Sequence, residues 1–364
     1  QILSRCGFAA PLPLVDAIIA PLQDDMSNLP RITPVAFVSI AATLLISVPL
    51  VLGFLKNVHP AFDAFTHFRA HLTVLLAITA LPLVFITGWR MLGIVALALA
   101  IMAFTSVLDL SLLRGLSGGT AEASAQSTAR YRLLQLNLRY DNRTPKEVLS
   151  LIGRSGADVV TLEEVSHMWR RELSFIEKTF PYHQFCQRPG IGGVAILSRR
   201  PFLHPSTTKC LNRNTLAIAT INFGGAAVDI AALHLGWPWP FDQPRQIEPI
   251  TKTLQTKLGS SAILAGDFNA VPWSATAERL AAAGGFTRLR HIGPSWLAQP
   301  LPDWLRRTVG LPIDNVFVKG RITAVQTKRL ESVGSDHLPV LVEFGILPRP
   351  GESQTLQASL RPLN

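Results

Sequence analysis

Charge is scarce in this chain. Only 16% of its 364 residues are Asp, Glu, Lys or Arg, while 48% are hydrophobic. A soluble globular protein carries about 25% charged residues, so the shortage excludes an ordinary soluble enzyme over the whole length. The shortage is also uneven. It lies before residue 114, and the remainder has the size and composition of one large soluble domain. Cysteine is nearly missing. Cys6, Cys186 and Cys210 lack the spacing of metal ligands, which excludes a cysteine-built metal site. Cys186 and Cys210 read as buried free thiols, and would pair only if the domain faced an oxidising compartment. Acids are the scarcer charge, 24 against 34 Lys and Arg, for a net +10. A basic balance suits phosphate-rich partners such as nucleic acid or anionic lipid head groups; Arg and Lys flanking membrane spans give the same sum. No basic run interleaved with aromatics stands out, and there is no internal repeat.

What the first third has instead is long apolar runs. Residues 1–33 are expected to be a leader: residue 1 is Gln, and Met26 opens MSNLPRITPVAF, a more natural membrane-protein start. Residues 1–25 therefore read as extraneous, or as an amphipathic leader. Beyond them lie three uncharged or nearly uncharged stretches: Pro34 to Leu55, Leu72 to Trp89 around Pro82, and Met91 to Leu113, which holds only Asp109. Each is about long enough to cross a bilayer, where an internal proline is tolerated. Residues 34–114 are thus expected to form a three-helix transmembrane anchor, with buried helices of a soluble core as the alternative. Under that layout Arg31 and Arg90 face one side and Lys56, Arg69 and Arg114 the other, so the charge count leaves orientation open. Residues 115–130, rich in Gly, Ser and Ala, read as a flexible linker. The Pro-rich stretch 346–364 reads as a disordered tail.

Between linker and tail, over 131–345, strand and helix patterns alternate. Helices are expected over Lys146–Ser155, Met168–Thr179, Gln243–Leu258 and Trp273–Ala283, the last ended by Gly284 and Gly285. Strands are expected over Val194–Leu197, Leu216–Phe223, Ala227–Leu233 and Ser261–Leu264. Strand–helix–strand order early and hairpin-like pairs later predict an α/β sandwich of two packed mixed β-sheets with helices outside.

Six apolar runs in this region end in a carboxylate, amide or imidazole: LLQLN to Asn137, VVTLEEV, IAALHLG, ILAGDFN, LPIDNVFV and GSDHLPVLVEF. A buried strand that ends in a polar group delivers chemistry to a rim. Asp267 and Asn269 lie two apart after Gly266, so an extended backbone turns both to one side; alone, they could be an Asx turn. Asp336 and His337 offer a metal or base group beside an imidazole, and Asp314 could orient that imidazole through its second nitrogen. Glu164 is a hard oxygen ligand suited to Mg²⁺, with Asn137 as neutral partner. Glu163 is expected to point away as a solvated neighbour. His234 alone reads as a structural histidine.

The ordered set Asn137, Glu164, His234, Asp267, Asn269, Asp314, Asp336 and His337 resembles the endonuclease/exonuclease/phosphatase, or DNase I-like, superfamily over about residues 130–345. The resemblance implies a four-layered α/β sandwich and Mg²⁺- or Mn²⁺-dependent hydrolysis of phosphoester bonds. It implies Glu164 as principal metal ligand with Asn137 and Asp336 in support, and Asp267 positioning or activating the attacking water. Asn269 and His234 would contact phosphoryl oxygens, and His337, paired with Asp314, would stabilise the transition state. The inositol-phosphatase signature is absent, Pro312-Ile313-Asp314-Asn315 standing in its place. The His59-Pro60-Ala61-Phe62-Asp63 and His67-Phe68-Arg69 segments, Trp237-Pro238-Trp239-Pro240 and Pro294-Ser295-Trp296 resemble a membrane-anchored bacterial branch. That likeness implies a multi-pass protein of the cytoplasmic membrane with an extracytoplasmic catalytic domain, and places Trp237 at a substrate rim or in packing.

The function expected is a membrane-tethered phosphodiesterase acting on nucleic acid, or alternatively on a phospholipid head group, with no protein partner. A membrane-anchored binding module without turnover is the non-enzymatic alternative. A transporter is disfavoured, because Asp109 alone makes no polar path.

Overall fold

The computed structural model describes residues 33–108, 129–203, 208–290 and 292–348. The expected leader, linker and tail, and also Asp109 and Arg114, fall almost wholly outside them. The chain divides into two compact units. One is built from residues up to Ser47 and from Val74–Ile101; the other takes Val48–Thr73 and everything from Met102 onward.

The first unit is made of apolar helix. Helix α1 spans Pro34–Phe54, and its last turns pass into the second unit. Helix α2 (Pro60–Thr66) belongs to the second unit, while α3 (Arg69–Ala80) from Val74 and α4 (Arg90–Val107) as far as Ile101 belong to the first. Helices α1 and α4, with mean hydropathy 2.5 and 2.0, are long and apolar enough to cross a membrane. Large apolar side chains sit on their outer surface: Leu45 is 75% and Ile101 65% exposed. The third expected stretch, Leu72 to Trp89, is not one helix. Helix α3 stops at Ala80 and a 3₁₀ segment, Leu81–Phe85, takes over where Pro82 supplies no N–H. Twelve residues of α-helix reach only about 18 Å. A third span exists only if α2 and Arg69–Phe85, bent by 68°, are counted together.

The second unit contains the expected sandwich. One six-stranded sheet runs β11 (Ile322–Arg329), β12 (Val340–Ile346), β1 (Arg130–Asn137), β2 (Val159–Val165), β4 (Gly193–Ser198), β3 (Tyr182–Cys186). The other runs β5 (Lys209–Leu211), β6 (Leu216–Phe223), β7 (Ala226–His234), β8 (Ala262–Asp267), β10 (Asp314–Lys319), β9 (Thr287–Arg288). Among the described residues only β1 with β2 and β7 with β8 pair in parallel, so both sheets are mixed. Strand period decides which layer each side chain enters. Leu133, Val159, Ile196, Ile230, Ile263 and Phe344 fill the space between the sheets. Their neighbours Leu134, Leu136 and Val160 turn outward, against α5 (Pro145–Arg154) and α6 (His167–Leu173). On the far side Leu216, Leu264 and Phe317 meet α7 (Gln243–Lys257) and α8 (Ala275–Gly284). Both faces of both sheets are covered, which is why the strands read as continuous apolar runs rather than as alternation.

Helix α5 shows how directly the sequence writes these elements. Pro145 opens it, Glu147 sits in the first turn, Arg154 closes it, and Val148, Leu151 and Ile152 form its buried stripe. Helix α8 starts where the Ser274 side chain accepts the Ala277 N–H and ends at left-handed Gly285. The cysteines differ from expectation. Cys186 on β3 and Cys210 on β5 are joined in a disulfide rather than being free buried thiols, and it ties an edge strand of one sheet to an edge strand of the other.

Candidate active site

The register of the sheets gathers the polar strand ends. His234 is paired with Asp267 across the β7–β8 ladder, and Asp267 with Asp314 across β8–β10. Asn137 ends β1 opposite Glu163 of β2. His337 precedes β12, which runs antiparallel to β1. Gly266 permits the close approach of β8 to β7: a Cβ there would lie 1.9 Å from the Leu233 carbonyl oxygen.

Hydrogen bonds then join residues from the two sheets. The Asn137 amide nitrogen donates to Glu164 Oε1 at 3.1 Å and to Asp267 Oδ2 at 3.0 Å. Glu164 Oε2 accepts the Tyr140 N–H. His337 Nδ1 lies 2.9 Å from Asp314 Oδ2, and its Nε2 lies 3.6 Å from Asp267 Oδ2. His234 Nε2 is also 3.6 Å from that oxygen. These two longer distances exceed hydrogen-bond range. Asn269 donates its backbone N–H to Asp267 Oδ1 and its amide to the Leu235 carbonyl. Asp336 Oδ2 accepts the Trp296 indole N–H, and Trp296 meets Trp237 edge-on at 5.3 Å. Trp237 itself is 48% exposed, at the rim. Hydrogen bonds thus join Asn137, Glu164, Asp267 and Asn269, and separately His337 and Asp314; His234 lies against Asp267, and Asp336 bonds to Trp296.

Glu163 departs from expectation. The β2–β4 register shifts between Leu162 and Val165, and Glu164 takes a left-handed φ of 56°. This bulge breaks the strict alternation. Glu163 turns into the interior, fully buried, where its Oε2 accepts from Gln135 Nε2. Gln135 donates from the same nitrogen to Asp314 Oδ1. Gln135 is thus a member of the cluster that sequence reasoning missed; a glutamine inside LLQLN was its one signal. Ser295 and Ser335 were missed as well. Ser295 Oγ accepts the Asp314 N–H, and Ser335 Oγ donates to the Asn137 carbonyl while accepting the His337 N–H.

The electrostatics are those of crowded acids. Burial raises Asp267 to about 7, against the lowering effect of the His337 charge. Burial also raises Glu164, and raises Glu163 well above the usual carboxylate range with help from the Asp314 charge. Burial works to raise Asp314 too, but the charge and hydrogen bond of His337 outweigh it and hold Asp314 low. Burial alone would lower His337; Asp314 and Asp267 reverse that and raise it to about 10. His337 is therefore an imidazolium that donates Nδ1–H to Asp314. Its Nε2 proton is left without a partner in hydrogen-bond range. Burial lowers His234 to about 3, with the His337 and Arg188 charges adding to it, so His234 is neutral.

Asp267, Asp314 and His337 offer ligand atoms within 4.8 Å of one another. Asp314 also accepts from Gln135 and lies 2.9 Å from His337 Nδ1, so its oxygens are less free for a cation than those nearer the rim. The better-fitting donors are the hard oxygens of Glu164, Asn137 and Asp336. Each Glu164 oxygen accepts only one N–H, and the Asp336 oxygen not bonded to Trp296 has no partner among these groups. Five buried or half-buried carboxyl groups crowd a single imidazolium, and burial disfavours the charged form of Asp267, Glu163 and Glu164, a penalty that a divalent ion would relieve.

The endonuclease/exonuclease/phosphatase family model matches residues 134–337. No curated protein matches the chain. Among solved structures, a humanised TDP2 of D. rerio carrying 14 mutations is 19% identical and covers 59% of this chain and 99% of its own, with a TM-score of 0.47. An endonuclease/exonuclease/phosphatase from Beutenbergia cavernae is 18% identical over 61% of this chain and 73% of its own, TM-score 0.47. Sphingomyelinase C from Streptomyces griseocarneus is 17% identical over 59% of this chain and 99% of its own, TM-score 0.43.

Proposed function

This chain belongs to the endonuclease/exonuclease/phosphatase family, matched over 134–337, and on that premise we propose that it is a membrane-tethered, Mg²⁺- or Mn²⁺-dependent phosphodiesterase. The observation that carries this reading is the line Asp314–His337–Asp267: an imidazolium fixed 2.9 Å from one carboxylate and facing another whose proton affinity is near neutral. That is a cation and a base set side by side.

The roles derive from those charges. Glu164 would hold the cation with Asn137 and Asp336, and a cation bound there supplies charge neutralisation of the phosphate and a more acidic water. Asp267 takes a proton from the attacking water as the new O–P bond forms. The His337 Nε2–H donates to a phosphoryl oxygen as charge builds on it. Asp314 and, through it, Gln135 keep His337 protonated and oriented. Neutral His234 and the Asn269 amide contact the non-bridging oxygens. The P–O bond to the leaving group breaks, and that oxygen takes its proton from solvent.

The tether rests on α1 and α4, which are long and apolar enough to span. An extracytoplasmic catalytic domain at a bacterial cytoplasmic membrane is supported by the Cys186–Cys210 disulfide, a bond that persists in oxidising surroundings. The net +10 charge suits a nucleic-acid or anionic-lipid diester alike. The test is hydrolysis of bis-p-nitrophenyl phosphate by the full chain with Mg²⁺, with Mn²⁺ and with chelator. Turnover that needs the metal and disappears in Asp267→Asn supports the reading. Absence of turnover with every metal leaves a binding module in its place.

A further inference from the structure

Beside the catalytic cluster lies a cavity that the mechanism does not use. It holds about 170 Å³, and it is walled by Ala64, Phe68, Trp237, Phe241, Leu311 and Ile313, with His67, Trp239 and Asn269 at its edge. Asn269 is shared with the catalytic cluster, so whatever fills the cavity is contiguous with a phosphate held there. Its mouth is aromatic and wet: Phe68 is 52%, Trp239 47% and Phe241 65% exposed.

Two features say what fits. First, its walls are almost wholly apolar and aromatic, and two of the polar groups at its edge already have backbone partners. Both ring nitrogens of His67 meet backbone carbonyls, of Ala64 and of Asn269, and the Asn269 amide nitrogen donates to Leu235. A nucleobase brings donors and acceptors that need partners when buried, whereas an alkyl chain needs none. Second, one wall comes from the segment between two apolar helices, α1 ending at Phe54 and α3 beginning at Arg69. Exposed Trp beside apolar surface is the composition of a membrane interface.

We propose that this cavity takes the alkyl chain of a lipid whose phosphodiester lies at the catalytic cluster, which makes the substrate class a lipid phosphodiester. The proposal rests on the phosphodiesterase reading above and names its substrate. At about 30 Å³ for a water-sized group, the cavity holds roughly six methylenes. Each buried methylene favours binding by about fourfold.

The test is a chain-length series on the full protein in amphipol: methyl, butyl and hexyl p-nitrophenyl phosphodiesters, with the p-nitrophenyl ester of thymidine 5′-phosphate as the nucleotide arm. The expected result is a kcat/KM for the hexyl ester on the order of 1,000-fold above the methyl ester, from five added methylenes at about fourfold each, with the nucleotide ester below the hexyl. Ala64→Trp, which fills the cavity, cuts the hexyl-to-methyl ratio at least tenfold. Phe241→Ser, at an exposed position, cuts it in the same direction should Ala64→Trp not fold. A flat series, a nucleotide ester that outpaces the hexyl, or a ratio untouched by both variants overturns the lipid assignment while leaving the phosphodiesterase standing. No turnover of any diester overturns both.

Discussion

The Nε2 atom of His67 lies 3.2 Å from the carbonyl oxygen of Asn269, across 202 residues of sequence. It is one of several bonds that fasten the segment after α1 to the loop carrying the catalytic cluster. Lys56 reaches the Trp273 carbonyl and Glu278, and the Trp273 indole donates to the Thr66 carbonyl. Asp63 accepts from the N–H groups of Ala275 and Thr276 and from the Thr276 hydroxyl, capping the start of α8. Lys56 and Arg69, which count as membrane-flanking charges in the sequence, are spent on these and similar internal contacts; Arg69 donates to the Gly53 carbonyl.

A fragment that starts at residue 130 lacks this support. It is expected to fold less stably and to turn over bis-p-nitrophenyl phosphate at least tenfold more slowly than the full chain. Asp63→Ala in the full chain leaves buried N–H groups without an acceptor, at a cost of about 2 kcal/mol. A chemical-denaturation midpoint indistinguishable from wild type would contradict the contact's importance.

Asp267→Asn keeps the shape and removes the proton acceptor. General-base catalysis is worth about 10²–10⁴-fold, so kcat should fall by that factor with KM little changed. A fall below tenfold would move the base elsewhere.

His337 owes its charge to Asp314. In wild type its value of about 10 keeps it protonated through neutral pH, so the alkaline limb of the rate profile lies near there. Asp314→Asn removes the acid that raises it. The limb should then shift to lower pH, and the rate at pH 8 should fall more than the rate at pH 6. A pH–rate profile of the variant parallel to wild type would contradict this pairing.

Stability should depend on pH and cation together. Asp267 is raised from 3.8 to about 7, so the folded state holds its proton more tightly than the unfolded state. Its contribution is therefore present below about 4 and is lost as pH rises through about 7. Glu164, also raised, acts with the same sign. A divalent cation at these acids replaces the missing proton. Mg²⁺ should raise the melting temperature more at pH 8 than at pH 5, and chelator should reverse it. An equal or opposite increment would place the ion elsewhere.

Much of the site is legible in the sequence because polar groups at the ends of apolar runs mark a rim, and register does the rest for His234, Asp267 and Asp314. Glu163 escapes that logic because the bulge in β2 is a local departure from a two-residue period, and no residue type announces it. Gln135 hides inside an apolar run. Proline at 82 is tolerable within a span, yet α3 ends just before it. The bonds from Lys56, Asp63, Thr66 and His67 are contacts between distant stretches, which periodicity cannot see.

The Cys186–Cys210 link bears on how this molecule is best handled. Cys186 sits two positions before Arg188, whose charge is felt by His234. Cutting that staple with dithiothreitol would let the outer margins of the two sheets part, at a cost of about 3 kcal/mol for a loop of this size. Material produced in a reducing cytoplasm would then carry a slack border next to its own reaction cleft, and purification from an oxidising host is the sounder route.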